Sequence, residues 1–363
     1  MRGSIDAGVL SEQELESYRR PLTGYCYRML GSGSEAEDAV QETMIRAWRG
    51  SDRLQERAAL KSWLYRIASN VCFDILQSAQ RRAQPMDLGP SSNADATLGA
   101  GLPETTWVQP IADGRVLPDG ASDSDPAAVV ESRETLRLAF VAALQHLPPR
   151  QRAVLILREV LRWQATEVAE LLDTSVASVN SALQRARATL ESLDLDAGGG
   201  FAAGAPTGDA ADARASGGDV LSEAALDDAR ERELLASYVD AFERYDIASL
   251  VRLLHDDAAF SMPPWPLWVE GPQQVHDFML GTGAHCEGSR VLPISANGGR
   301  AVAVYHPTPE GWFDPWAIVV VETRGGRISG LHHFIYPELF AEFGLPARLE
   351  AGAEAASEAR QEP

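Results

Sequence analysis

The stretch ATEVAELLDTSVASVNSALQ, residues 165–184, decides how this chain is read. Val168, Ala169 and Leu172 recur at helical spacing and form the inner face of one short helix. Asp173, Thr174 and Ser175 then make a three-residue turn. Val176, Val179 and Leu183 form the inner face of the next helix, for which Ser175 is the expected N-cap. Ala169 falls where the two helices cross, and a small side chain there lets them approach. This is helix-turn-helix spacing, and the second helix of such a pair normally enters the major groove with its N-terminal residues at base edges. Ser178, Asn180, Ser181 and Gln184 are then candidates for base contacts, with Arg185 and Arg187 for phosphates. Two amphipathic helices with a polar exterior produce the same pattern, so the flanking sequence has to discriminate.

Upstream, apolar residues keep helical period through Leu136, Ala139, Phe140, Ala143 and Leu144, stop at Leu147-Pro148-Pro149, and resume at Ala153, Ile156, Leu157 and Val160. Residues 126–193 therefore read as one helical domain. A second occupies residues 11–82. Its first stripe is Tyr18, Leu22, Tyr25, Cys26 and Met29, with Pro21 kinking that helix or beginning a new one. Gly31 to Gly33 is a break, and Ser34 with Glu37 reads as a capping box for a helix running to about Trp48. The third stripe is Trp63, Leu64, Ile67, Ala68, Val71, Ile75 and Leu76. Between these domains, residues 83–125 are rich in Pro, Gly, Ser and Asp and predict a flexible linker. It is acidic, with Asp87, Asp95, Glu104, Asp113, Asp119, Asp123 and Asp125 against Arg115.

Downstream, residues 194–223 are a Gly/Ala-rich tether, and the grammar then changes. Helical stripes (Leu234, Leu235, Tyr238, Val239, Phe242, then Ile247, Leu250, Val251, Leu254) precede strand-like runs at 258–262, 291–296, 301–306, 316–323 and 328–336. Asn297-Gly298-Gly299 and Arg324-Gly325-Gly326 stand where hairpin turns belong. Helices followed by an antiparallel meander predict an α+β domain over 224–345, with a disordered tail at 346–363. The chain is thus multidomain, with two all-α domains and one α+β domain.

The formal net charge is −20 over 363 residues, which suits nucleic acid poorly at first sight. The acid is concentrated in the linkers and the C-terminal half, however, while residues 61–82 hold Lys61, Arg66, Arg81 and Arg82 against Asp74 alone. A local basic face can still track phosphates. Cys26, Cys72 and Cys286 show no CxxC spacing, which fits a reducing compartment. No apolar run approaches the roughly 20 residues that span a bilayer, and the first residues hold no secretory apolar region. A cytoplasmic protein without membrane contact is expected.

Two blocks carry a family resemblance. Residues 38–48 (DAVQETMIRAW) followed by 63–74 (WLYRIASNVCFD) and Arg81-Arg82 resemble region 2 of the extracytoplasmic-function sigma factors of the sigma-70 family. The run LPPRQR at 147–152, with the helix-turn-helix after it, resembles region 4. Together they cover roughly 11–190, in family order. The resemblance implies core RNA polymerase and promoter DNA as partners and no cofactor or metal. It implies that Asp38, Gln41, Glu42 and Ile45, a polar ridge opposite the buried face of the second helix, dock on the polymerase clamp helices. It implies that the third helix and its preceding loop capture a flipped base of the minus-ten element, assigning DNA contacts to Lys61, Trp63, Arg66, Asn70, Asp74, Arg81 and Arg82. Stacking and bonding an extruded base offsets the few kcal/mol that melting costs. Many family members carry Arg or Lys at the position of Asn180 and Arg at that of Ala182. Guanine readout by a bidentate Arg is therefore absent, and Asn or Gln bidentate to adenine is the geometric alternative. In the family, the linker threads the polymerase cleft and RNA exit path.

The C-terminal part, with MPPWPLWVEG at 262–271 and FIYPELF at 334–340, resembles a SnoaL-like domain of the NTF2-like class, a cone of curved sheet closed by helices. Relatives of that class include isomerases and cyclases with an acid or histidine in the cone. His255, Asp257, Trp265, Trp268 and His332 are the candidates for a ligand pocket, with Asp256 and His333 beside them. Strand alternation lets only one of His332 and His333 face inward. Neither a nucleophile motif nor metal-ligand spacing accompanies these residues. A regulatory domain is expected; the alternative is a bifunctional protein that binds or converts a small hydrophobic metabolite.

Overall fold

The computed structural model describes residues 11–51, 59–77, 81–117, 126–193 and 217–350. Its contacts divide the chain into two units, Met1–Arg82 with Asp113–Phe201, and Ala83–Ala112 with Ala202–Pro363.

The first unit is helical. Its N-terminal half comprises α1 (Glu12–Glu16), α2 (Arg19–Leu30), α3 (Gly33–Arg49) and α4 (Leu60–Leu76). Pro21 lies in the first turn of α2, where its missing N–H costs no intrahelical bond. The N-cap of α3 is Ser32 rather than the expected Ser34; its hydroxyl accepts from the Glu35 amide at 3.4 Å. The cause is Gly31, which ends α2 at φ 73° and delivers Ser32 already extended at φ −140°.

In the second unit a short helix, α5 (Pro85–Leu88), comes first in chain order. The helical unit resumes with α6 (Pro126–Glu134), α7 (Leu138–Gln145), α8 (Pro149–Leu155), α9 (Ala165–Leu171) and α10 (Val176–Ser192). The two helical modules, expected as separate domains, pack as one unit. Two buried arginines tie them together. Arg28 of α2 donates to the Gly24 carbonyl at 2.9 Å, the Thr135 carbonyl at 3.0 Å and the Thr135 hydroxyl at 2.7 Å. Arg152 of α8 donates to the Gln145 side chain at 2.6 Å, to the Gln145 and Leu147 carbonyls at 3.1 Å, and to the Met29 carbonyl. Burial pushes both guanidinium groups down to about 10, so both remain charged at neutral pH. The carbonyls they satisfy stand mainly at helix ends, where no intrahelical donor exists. The three cysteines are free and buried, and Cys72, pushed up by its hydrogen bond with Cys26 and by burial, is a poor thiolate.

The second unit continues with α11 (Gly217–Glu243), α12 (Ile247–Arg252), β1 (Leu254–Ser261), β2 (Trp268–Glu270), α13 (Pro272–Leu280), β3 (Arg290–Ala296), β4 (Gly299–Pro307), β5 (Trp312–Arg324), β6 (Arg327–Phe334), α14 (Leu339–Glu342) and β7 (Leu349–Glu350). The sheet order is β2-β1-β6-β5-β4-β3, with β7 also on β5. The meander β3 to β6 is antiparallel as expected, but β1 joins β6 in parallel. Asn297-Gly298 and Gly325-Gly326 all have positive φ, matching the turn that two-residue hairpins require. One face of the sheet shares an apolar cluster with the helices, including Tyr238, Phe242, Phe260, Phe278, Val304 and Val319.

Two segments depart from the sequence reading. Residues 217–223, expected in the tether, already belong to α11; 194–216 and 351–363 lie outside the described residues. Within 83–125, expected as a flexible linker, residues 83–112 belong to the C-terminal unit. Ala83 bridges to Trp107, Ala112 bridges to Ala296, and Ile111 exchanges hydrogen bonds with Asn297 at 3.0 and 3.1 Å. Residues 113–117 return to the helical unit, where Arg115 pairs with Glu37; 118–125 are not among the described residues. Composition reported a chain that cannot build its own core, and this segment borrows one.

Candidate nucleic-acid interface

The helix-turn-helix forms as the spacing predicts. Ser175 caps α10, its hydroxyl accepting from the Ser178 amide at 3.2 Å. Val168, Ala169, Val179 and Leu183 are buried, with Leu171 in place of Leu172; Val176, expected inside, is 38% exposed. Ala182, Ala186 and Leu190 complete the buried side of α10. Ser178, Asn180, Ser181, Gln184 and Arg185 all stand on its exposed side. Arg187 departs from them, being partly buried and paired with Glu159 at 2.8 Å. Phosphate contact by this arginine requires that pair to open, so Arg185 is the more readily presented cation of the helix.

On α4 the candidates divide. Asn70 and Asp74 are exposed, with Asp74 3.5 Å from Arg46. Trp63 is half-buried, its ring edge 3.3 Å from where a side chain on Gly50 would begin, which holds the end of α3 against α4. Arg66 donates to the Glu170 carbonyl of α9 at 2.8 Å, and the Lys61 ammonium lies 5.2 Å from the Trp163 ring centre. These two cations thus face the other helical module. Arg81 and Arg82 lie beyond the end of α4. Arg81 contacts His146 at 3.0 Å, while Arg82 is 6% exposed and pairs with Glu35 at 2.7 Å. Arg82 is therefore held in a buried ion pair and, unlike the expected phosphate contact, is not presented to solvent.

Along α3, Asp38 and Gln41 are exposed and Ile45 is 37% exposed, opposite the buried Ala39, Val40, Thr43 and Ala47. Glu42 pairs with Arg46 at 2.7 Å. Ile45 also lines an apolar hollow with Leu15, Met44 and the half-exposed Trp48. The ridge is thus charged along one side and apolar along the other.

The C-terminal candidates fall at separate places in the domain. His255 and Asp257 lie on β1 with the parity opposite to the cluster residues Leu254, Ala258 and Phe260. They form a surface group in which His255 is 2.6 Å from Asp257, and Arg324 reaches Asp257 at 2.5 Å and His255 at 3.1 Å. The Arg324 guanidinium holds the Asp257 carboxyl below its usual range. Trp265 and Trp268 donate to the carbonyls of Gly99 and Gly89, both at 2.9 Å. Of the paired histidines, His333 faces the apolar cluster, against the assignment of His332. An irregularity in β6 between Ile328 and Gly330 shifts the alternation, so Ile328 and then Leu331 and His333 point the same way. His332 bonds instead to the Ser261 hydroxyl at 2.9 Å, with Glu322 3.4 Å away on its other nitrogen.

His333 packs on Phe260 at 4.3 Å between ring centres, and His306 stacks on Trp316 at 4.2 Å. Sequence reading missed His306, which stands alone among apolar neighbours in β4. Burial pushes both imidazoles down to about 4. A histidine depressed in the folded state favours folding fully above its unfolded value and loses that contribution as pH falls toward the folded one. For His333, buried at 2% exposure, the contribution lost between about pH 6.5 and 4 is about 3 kcal/mol. Denaturant melts followed by tryptophan fluorescence should show stability falling over that window, and His333→Phe should flatten the fall. An unchanged slope in that variant would remove His333 as its source.

Residues 15–82 match the family pattern of Sigma-70 region 2, 137–190 that of Sigma-70 region 4, and 235–331 that of the SnoaL-like domain. The chain is 40% identical over 368 residues to the ECF RNA polymerase sigma factor SigG of Mycobacterium tuberculosis, covering 96% of this chain and 91% of that one. It is 30% identical over 176 residues to the ECF RNA polymerase sigma factor SigW of Bacillus subtilis, covering 48% of this chain and 84% of the relative. In fold it is similar to the crystal structure of the Mycobacterium tuberculosis extracytoplasmic function sigma factor SigJ, with a TM-score of 0.55 at 22% identity over 93% of this chain and 100% of that one. Both helical modules and the fused α+β domain are covered by these matches, and the chain belongs to the extracytoplasmic-function family of RNA polymerase sigma factors.

Proposed function

We propose that this chain brings core RNA polymerase to promoters, docking through the α3 ridge of Asp38, Gln41, Glu42 and Ile45, and reading DNA through α4 and α10. The observation that carries the reading is α10 itself: Val179, Ala182, Leu183, Ala186 and Leu190 bury one side, and the other presents Ser178, Asn180, Ser181, Gln184 and Arg185 to solvent. A helix capped and held in this way fixes the register of its polar side chains before DNA arrives, which lowers the ordering cost of recognition. Arg66 and Lys61 are engaged with the second helical module, so release of those contacts accompanies engagement of the minus-ten element. The fused domain acts in this reading on the helical unit and not as an enzyme. His255 and Asp257, candidates for a ligand pocket, form a surface ion group, and Trp316 fills space against the apolar cluster.

Transcription with purified core polymerase on a randomised promoter library tests the proposal. Asn180→Ala is expected to lose about 1–3 kcal/mol at one base pair of the minus-thirty-five element and to relax preference there. Arg185→Ala is expected to weaken all sites alike and to lower the salt slope by about 1. Equal, sequence-independent weakening by both substitutions would remove Asn180 as a base reader.

A further inference from the structure

The first turn of α10 presents apolar groups to solvent. Val176, Ala177 and Ser178 open the helix and all three are exposed. Helical period groups Val176 with Val179 and Leu183, yet Val176 is 38% exposed while Val179 is fully buried. Helical side chains lean toward the N-terminus, onto the turn before them. Val176 is the first helical residue and follows an extended Ser175, so it has no such turn to lean on. As a folding residue, valine is a poor choice there: β-branching lowers helix propensity, and an exposed side chain returns little burial.

The polar capacity of the same turn is committed to the cap. The Ser178 amide donates to the Ser175 hydroxyl at 3.2 Å, and the two hydroxyls lie 2.9 Å apart. What remains to meet a base edge is the methyl groups of Val176 and Ala177. The N-terminal residues of a recognition helix lie at base edges in the major groove. Those edges carry donors, acceptors and one kind of apolar group, the C5-methyl of thymine.

We propose that Val176 reads a thymine methyl in the minus-thirty-five element and is a specificity-determining residue beside Asn180. Val176 and Asn180 share a face of α10, about 6 Å apart along its axis. Base pairs are stacked about 3.4 Å apart, so the thymine lies one or two pairs from the base pair that meets Asn180. An asparagine suited to adenine and a valine suited to thymine together select A·T pairs, in keeping with the absence of a guanine-reading arginine at Asn180 and Ala182. The assignment rests on the reading of α10 as the promoter-reading helix.

The test begins from the minus-thirty-five sequence that the full chain with core polymerase selects from a randomised duplex library. Each thymine in it, on either strand, is replaced singly by deoxyuridine, which pairs identically and lacks only the methyl. Burying one methyl is worth about fourfold in binding, so one replacement is expected to weaken wild-type promoter binding by about fourfold. Val176→Ala is expected to weaken binding to the thymine template by a similar factor and to bind the thymine and deoxyuridine templates equally, closing a double-mutant cycle between side chain and methyl. The position is exposed and alanine is the better helix former, so the variant folds; its helical spectrum checks this. A Val176→Ala protein that still discriminates at every thymine overturns the proposal, as does a selected element without thymine on either strand. Uniform weakening of all templates by Val176→Ala, with deoxyuridine neutral in the wild type, overturns it too and places the side chain against polymerase. If the chain and core polymerase select no sequence, the sigma-factor reading fails, and the same scan is run with the full chain alone. Methyl discrimination there that Val176→Ala abolishes keeps Val176 as the thymine reader; sequence-blind binding overturns it as well.

Discussion

Replacing Arg152 by alanine is expected to loosen the helical unit severely. The side chain is 3% exposed and donates to the Met29, Gln145 and Leu147 carbonyls and to the Gln145 amide oxygen. Its removal leaves several buried acceptors without a donor and a cavity between α2, α7 and α8. Breaking a buried charged network in this way costs about 3–5 kcal/mol. At roughly 2–4 °C per kcal/mol for a unit of this size, the first calorimetric transition should fall by roughly 10 °C. Arg152→Lys should rescue little, because an ammonium group cannot reproduce the fork that reaches both ends of the array. A midpoint lowered by less than about 2 °C would show that the two helical modules do not depend on this arginine.

The second large effect concerns polymerase. Changing Asp38 and Glu42 together to lysine should lower affinity for core polymerase by about a hundredfold or more, because charge reversal replaces two attractions by two repulsions at one docking surface. Stability should change little: Asp38 is exposed, and Glu42 gives up only a solvent-facing pair with Arg46. Surface changes of this kind alter stability by about 0.5 kcal/mol each. Binding of the folded variant to labelled core enzyme, with its helical spectrum as control, measures both effects. Wild-type affinity in a folded variant would sink the docking assignment.

Local chemistry made much of this molecule legible. Helical period located α2, α3, α4 and the pair α9–α10, because each buries one continuous face. Ser175 declared itself as a cap. Asn297-Gly298 and Gly325-Gly326 marked two hairpins, since few other residues adopt positive φ in succession. The exposed row on α10 followed from the same period that buried Val179 and Leu183. These features are encoded within about ten residues of themselves.

What the tertiary structure decided depends on partners distant in sequence. Nothing in the local sequence of Arg28 and Arg152 announces the carbonyls of the other module that they meet. Arg82 looked like a phosphate contact until Glu35 claimed it. A one-residue irregularity in β6 set His333 against the apolar cluster and left His332, equally buried, on the opposite face beside Ser261, because strand parity accumulates along a chain and a single slip reverses every side chain after it. Residues 83–112 are the plainest case. Their composition truthfully reported a segment with too little apolar surface to fold alone. Only the folded C-terminal domain, through Trp265, Trp268 and Gln274, supplies the hydrogen bonds and apolar ground that hold residues 89–102 in place.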